Sequence, residues 1–172
     1  LIVLGLDTAT VTGWAVGEPR ARPLSGSERL KRRGEGPEIA ALGMLRLVRR
    51  LILEHEPGVL FIEKYMNPAG SQNAAASVLL LQCFGVASAT AMAFGLRVEA
   101  PQRSTILKHF VDNGRPPDSK RAVIRRAIAL GYMPADCRDD NRADALAVWD
   151  FGCAQLGATP DRLVLFGEGA AA

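Results

Sequence analysis

The sequence predicts a mixed α/β domain, with a sheet begun by antiparallel strands and extended by parallel ones through helical crossovers. Three observations carry that expectation. Two short apolar runs open the chain back to back, helical periodicity then alternates with further apolar runs, and two of those runs end in an acid, Asp7 and Glu63. Ligand sites in such sheets gather at strand carboxyl ends, which is where both acids fall.

Taken in order, "LIVLGLD" (1–7) and "GWAVG" (13–17) flank a Thr-rich turn and read as a hairpin. Residues 18–27 read as loop, and "ERLKRR" before Gly34 as a third strand with charge on its open face. From Glu38 to His55, the positions Ala41, Met44, Leu45, Val48, Leu51 and Ile52 recur at three- and four-residue steps, while Arg46, Arg49 and Arg50 share the other side. That spacing predicts an amphipathic helix, ended by Pro57-Gly58. "VLFIE" (59–63) reads as a buried strand.

Asn73 to Phe94 is a long Ala- and Leu-rich helix. Gln82, Ser77, Ser88 and Thr90 leave it weakly apolar and no basic flank orients it, so a core or interface helix is expected rather than a membrane span. After it come a short strand "LRVEA", the breaker Pro101, a helix over 104–111, a turn "DNGRPP", a helix over 119–130 and a last helix carrying "DNRADALAVW". Residues 1–166 are expected to form one domain and the Gly/Ala tail 167–172 to be mobile.

With 172 residues the chain suits a single core, and 48% apolar content excludes a disordered or fibrous sequence. The balance of 21 Lys+Arg against 18 Asp+Glu gives +3, which suits a polyanionic partner without requiring one. Cys83, Cys137 and Cys153 are odd in number and show no C-x-x-C spacing, which argues against a disulfide framework or a zinc site and for a reducing cytoplasm. No apolar leader with a positive flank opens the chain. G-x-S-x-G and G-x-x-x-x-G-K-[ST] are both missing, disfavouring serine hydrolysis and P-loop nucleotide binding.

The acids of "RDDNRADALAVWDF" (138–151) raise the main chemical question. Asp139 or Asp140 ahead of a helix is an ordinary N-cap. Asp144 lies a turn further in, between Ala143 and Ala145, on a segment whose Leu146, Val148 and Trp149 look like core. Asp140 and Asp144, or Asn141 and Asp144, share one helical face. A half-buried carboxylate cluster needs a compensating cation, for which Arg142, Lys64 or a bound metal are the candidates, and the alanines are expected to keep the surface low enough for a bulky ligand. Asp7, Glu63 and Asp144 each interrupt an apolar stretch on a different element. Convergence is the economical explanation, and hard oxygen ligands suit Mg²⁺ or Mn²⁺, a pair of which supports phosphodiester hydrolysis.

The order of "GLDTATVTGWAV" (5–16), "FIEKYM" (61–66), the Ala-rich helix, "APQRSTILKHFVDNGRPPDSK" (100–120) and "DNRADALAVW" (140–149) resembles the RuvC family of Holliday-junction resolvases, within the RNase H-like nucleases. The likeness spans nearly the whole chain, and its short motifs most resemble phage-encoded members. It implies an RNase H-like fold with a five-stranded mixed sheet, and Asp7, Glu63 and Asp144 as catalytic ligands of two Mg²⁺ ions, with Mn²⁺ able to substitute. It also implies a homodimer that nicks branched DNA symmetrically in recombination and repair. Lys108 and Lys120 match the family's basic positions near the phosphates, and Tyr65 with Met66 the loop that probes the junction centre. Three departures stand out. Asn141 replaces an Asp or His three residues before the last acid, leaving Asp140 or Asn141 as fourth ligand; Thr8-Ala9 replaces Pro-Gly; and Met66 replaces an aromatic wedge.

Arg121 and Arg125 share one side of their helix, either as a solvated face or as contacts to a DNA backbone. His55 and His109 are expected at the surface or at helix ends, with His109 able to touch DNA. Two other readings remain: a silent DNA-binding protein of the same fold, and a fragment of an actin-like phosphotransferase, whose phosphate loop the opening motif also resembles but whose second half has no room in this length.

Overall fold

The computed structural model describes residues 1–65 and 74–157. Its sheet is built around β1 (Val3–Asp7), which pairs antiparallel with β2 (Val11–Gly17) and parallel with β4 (Val59–Ile62). The hairpin turn is tied by Thr12, whose buried hydroxyl donates to the Ala9 carbonyl at 2.8 Å. β3 (Leu24–Arg29) lies outside β2 and β5 (Arg97–Glu99) outside β4, giving the order β3-β2-β1-β4-β5. This is the expected mixed sheet, antiparallel at one edge and parallel at the other.

The third strand begins earlier than the sequence suggests, because residues 24–29 pair with 16–11 of β2 through backbone groups alone. As an edge strand with exposed Leu24 and small polar residues, "LSGSER" carries no apolar alternation to announce it. Leu30 to Arg33 fall outside it.

Period-two geometry assigns the two sides of the sheet. Leu4, Leu6, Leu60 and Ile62 point into one core with α1 (Pro37–His55) and α2 (Ala74–Ala93). Val3, Ala15, Val59 and Phe61 point into the other, against α3 (Arg103–Val111), α4 (Ser119–Ala129) and α5 (Asp140–Gly157). The buried stripe of α1 is Ala40, Met44, Leu47, Val48, Leu51 and Ile52. It is turned slightly from the predicted one, with Leu45 at 42% exposure and Leu47 inside.

The α5 side is close-packed through small residues. A side chain on Gly5 would meet the Trp149 backbone at 2.7 Å, and one on Gly13 would come within 1.8 Å of the Asn141 carbonyl. Ala143 and Ala145 are wholly buried in this contact. They let α5 approach the sheet, which corrects the expectation that they leave surface open to a ligand.

Opposite, α2 leaves Val78, Leu81 and Met92 more than half exposed. By length and composition alone it is also apolar enough to cross a membrane, with 17% of that window buried.

Candidate active site

The side of the sheet that a strand-end acid faces follows from its register. Asp7 shares parity with Val3 and Gly5, Glu63 shares it with Val59 and Phe61, and so both carboxylates continue onto the α5 side. They are neighbours: the Glu63 backbone N–H donates to the Leu6 carbonyl at 3.2 Å. Asp144 reaches the same place from above, because Ala143 and Ala145 to Trp149 anchor α5 on β1 and β2.

Asp139 caps α5, its Oδ1 accepting from the Arg142 N–H at 3.0 Å and its Oδ2 from Ser27 at 2.6 Å. The cap thus also ties α5 to β3, and it frees Asp140 to face the site. Asp140 instead pairs with Lys120 from α4, and the Asn141 amide donates to its other oxygen at 3.4 Å.

The cation at the centre is one that the sequence reading passed over. Arg103, the first residue of α3, places Nη1 2.9 Å from Glu63 Oε2 and Nη2 3.5 Å from Asp144 Oδ2. Its position is set by the backbone, since the Lys64 N–H donates to the Pro101 carbonyl at 2.9 Å and so draws the start of α3 against the end of β4. The two cations expected for the task do other things. Arg142 donates to the Ser25 hydroxyl at 2.9 Å, and Lys64 stands exposed on the cleft wall.

The electrostatics follow from this arrangement. Burial, and then the charges of Asp144 and Glu63, push the Asp7 carboxyl up to about 8, with Arg103 opposing. Burial also raises Glu63 and Asp144, again against Arg103. Asp140 goes the other way, because the Lys120 ammonium donates a hydrogen bond to its charged form. Burial works against the Arg103 charge, yet Asp144, Glu63 and Asp7 outweigh it and hold the proton more firmly.

A cleft of about 540 Å³ opens beside the acids, with Asp7, Glu63, Lys64, Tyr65, Arg103 and Arg115 on its walls. The structure therefore brings Asp7, Glu63, Asp140, Asn141 and Asp144 to one end of the sheet, and Tyr65 and Lys120 to its margin. Met66 lies outside the described residues. Lys108 is exposed on α3 beside Gly114 at the cleft edge, while Arg121 and Arg125 line a separate groove with Arg138. His109 hydrogen-bonds Asp150 at 2.8 Å.

Among the described residues, no three His, Cys, Asp or Glu side chains stand in metal-holding geometry. The chemistry of the donor set nevertheless fits a hard divalent cation. Asp7, Glu63 and Asp144 offer oxygens only, and burial, which raises all three, disfavours charge that such an ion would stabilise.

The fold is a mixed five-stranded α/β sheet with acids at the ends of two adjacent strands. No family model and no curated protein sequence matches the chain. Solved structures do. Thermus thermophilus RuvC matches with a TM-score of 0.71 and 16% identity, over 91% of this chain and 97% of that one. T. thermophilus RuvC in complex with Holliday junction substrate matches at 0.73 and 20%, over 91% and 96%. The yeast mitochondrial Holliday junction resolvase Ydc2 matches at 0.63 and 14%, over 95% and 83%. At these identities the likeness is one of fold, and the fold is that of the RuvC structures.

Proposed function

We propose that the protein is a divalent-metal-dependent endonuclease that resolves Holliday junctions or related branched DNA by paired symmetric nicks. One observation carries this reading: Asp7, Glu63 and Asp144, from β1, β4 and α5, meet beside one cleft, where Arg103 bridges Glu63 and Asp144. The structural neighbours, one of them in complex with Holliday junction substrate, support the choice of substrate.

In this mechanism Asp7, Glu63 and Asp144 would hold Mg²⁺ or Mn²⁺, with Asp140 or Asn141 completing the set. Bound there, two such ions would supply water activation and charge stabilisation at the leaving oxygen in phosphodiester hydrolysis. Lys64 and Arg115 draw the DNA backbone into the cleft, and Lys120 holds Asp140 charged and oriented. Tyr65 offers a ring at the cleft wall for a base to stack on. No nucleotide cofactor enters.

Paired nicks need two sites, and the outer face of α2 supports a homodimer. Val78, Leu81, Gly85, Ala89 and Met92 are all exposed there at three- and four-residue steps, the spacing of a helix-pairing seam. We place the dimer in the cytoplasm, in keeping with the free Cys83, Cys137 and Cys153.

The test is a nicking assay on a synthetic four-way junction with Mg²⁺. The wild type should cut two opposed strands, and Asp7→Asn and Asp144→Asn should bind the junction without cutting it. Retained cleavage by Asp144→Asn ends the proposal. A second reading, a silent DNA-binding protein of this fold, is favoured by the ion pairs that Arg103 makes with two of the acids. Junction binding with no cutting by the wild type would select it.

A further inference from the structure

Arg103 contacts two of the acids that would hold a divalent ion. Its guanidinium contacts Glu63 Oε2 and Asp144 Oδ2, oxygens that belong to the proposed ligand set. A carboxylate oxygen that accepts from a guanidinium has less electron density and less room to offer a metal. Both partners gain from the pairing: Arg103 relieves the acids, and the acids hold its proton. Because a guanidinium does not deprotonate near neutrality, Arg103 cannot leave by losing its charge. It can only move.

The surroundings give it somewhere to move. The Arg103 side chain is 37% exposed, and its long stem starts at the first residue of α3, where no preceding helical turn confines it. Arg103 lines the cleft together with Lys64 and Arg115. A phosphate bound among these three cations would offer the guanidinium a second anion within reach of its long side chain.

We propose that Arg103 is an exchangeable counter-ion: it fills the acid site until a DNA phosphate in the neighbouring cleft draws it out, so that metal and DNA load together. This rests on the nuclease reading and adds a regulatory step to it. In the absence of DNA, Arg103 competes with the metal. With DNA bound, the same side chain turns to the phosphate and vacates Glu63 and Asp144. Linkage then requires DNA to raise metal affinity and metal to raise DNA affinity by the same factor. A purely structural salt bridge has neither consequence.

The experiment titrates Mn²⁺ by electron paramagnetic resonance into wild type, Arg103→Met and Arg103→Lys. Each titration is done with and without a four-way junction whose central linkages are phosphorothioates, which slow hydrolysis and keep the charge. Without DNA, Arg103→Met should bind Mn²⁺ about tenfold more tightly than wild type, the scale of one lost charge-assisted contact. Arg103→Lys, which keeps a cation but not the two-pronged fork, should fall between them.

Junction DNA should raise the wild-type affinity about fivefold or more and leave that of Arg103→Met nearly unchanged. Circular dichroism in the same buffers establishes that each variant is folded, and Arg103→Lys carries the test alone if the methionine variant is not. Equal or weaker Mn²⁺ binding by both variants in a protein that nicks junctions overturns this inference and leaves the function standing. A wild type that neither binds Mn²⁺ nor nicks overturns both.

Discussion

The two sides of the sheet solve the same packing problem in opposite ways. On the α5 side, Gly5, Gly13 and Gly152 let a helix of mostly small and aromatic residues sit almost on the backbone, and every apolar residue from Ala143 to Trp149 is sealed. On the other side α1 is well seated, but α2 turns Val78, Leu81 and Met92 outward. Among the described residues, one side is sealed and the other leaves an apolar strip exposed. The contrast also explains where the chemistry lies. Carboxylates forced together need a rigid frame to oppose their repulsion, and the α5 contact supplies it.

The most severe way to break this contrast is Gly13→Ala. The added carbon would lie 1.8 Å from the Asn141 carbonyl, a backbone atom that cannot swing aside. Separating α5 from β2 should cost about 3 kcal/mol or more, seen as a fall of roughly 10 °C in melting temperature. An unchanged melting temperature would mean that the helix does not sit so close.

Next in size is a pH effect confined to the same side. The folded-state Asp7 carboxyl is raised to about 8 from an ordinary 3.8. Its protonated form therefore favours the fold fully below about 3.8, and this contribution is lost as pH rises through about 8. Glu63 and Asp144 are shifted in the same sense. In chelator, wild-type stability should fall as pH rises across that window. Asp7→Asn should remove much of the slope and be more stable at pH 8 by on the order of 2 kcal/mol. Parallel pH profiles from the two proteins in chemical denaturation would refute the buried-charge account.

On the α2 side, Leu81→Glu should convert a dimer to a monomer in sedimentation while changing monomer stability within about 0.5 kcal/mol, as expected for an exposed position. A variant that stays dimeric would move the interface elsewhere. Smallest of all is Arg50→Ala, which removes the ion pairs with Glu28 and Glu54, all three side chains being 40% exposed or more. Denaturant melts should register less than about 1 kcal/mol.

Much of this is legible in the sequence itself. Strands ending in Asp7 and Glu63 announce themselves because a buried run has no other reason to finish in a charge. Helix limits near Pro57-Gly58 and Pro101 follow from backbone chemistry, and a cap at Asp139 or Asp140 follows from their place ahead of the helix, the structure giving it to Asp139. β3 escaped because an edge strand is specified by its neighbour's backbone groups rather than by its own side chains. The face of α1 was slightly misphased because Leu42, Leu45 and Leu53 are apolar yet exposed, so that apolar residues surround the helix.

Arg103 was hidden for a different reason. "PQRSTILK" reads as the start of an ordinary helix, and the resemblance points to Lys108 and Lys120 as the basic positions near the phosphates. Its partners Glu63 and Asp144 are 40 and 41 residues away. One local signal existed: an arginine at the first helical position, where a cation opposes the helix dipole, invites a search for an acid elsewhere. Ala143 and Ala145 teach the converse, since small residues beside a functional acid permit either a ligand or a neighbouring backbone, and only the fold decides.

The most direct measurement is an anomalous difference map from crystals soaked in Mn²⁺. The account predicts density in contact with carboxylate oxygens of Asp7, Glu63 and Asp144, with the Arg103 guanidinium displaced from the latter two. Manganese bound only elsewhere, with Arg103 still bridging Glu63 and Asp144, would contradict it.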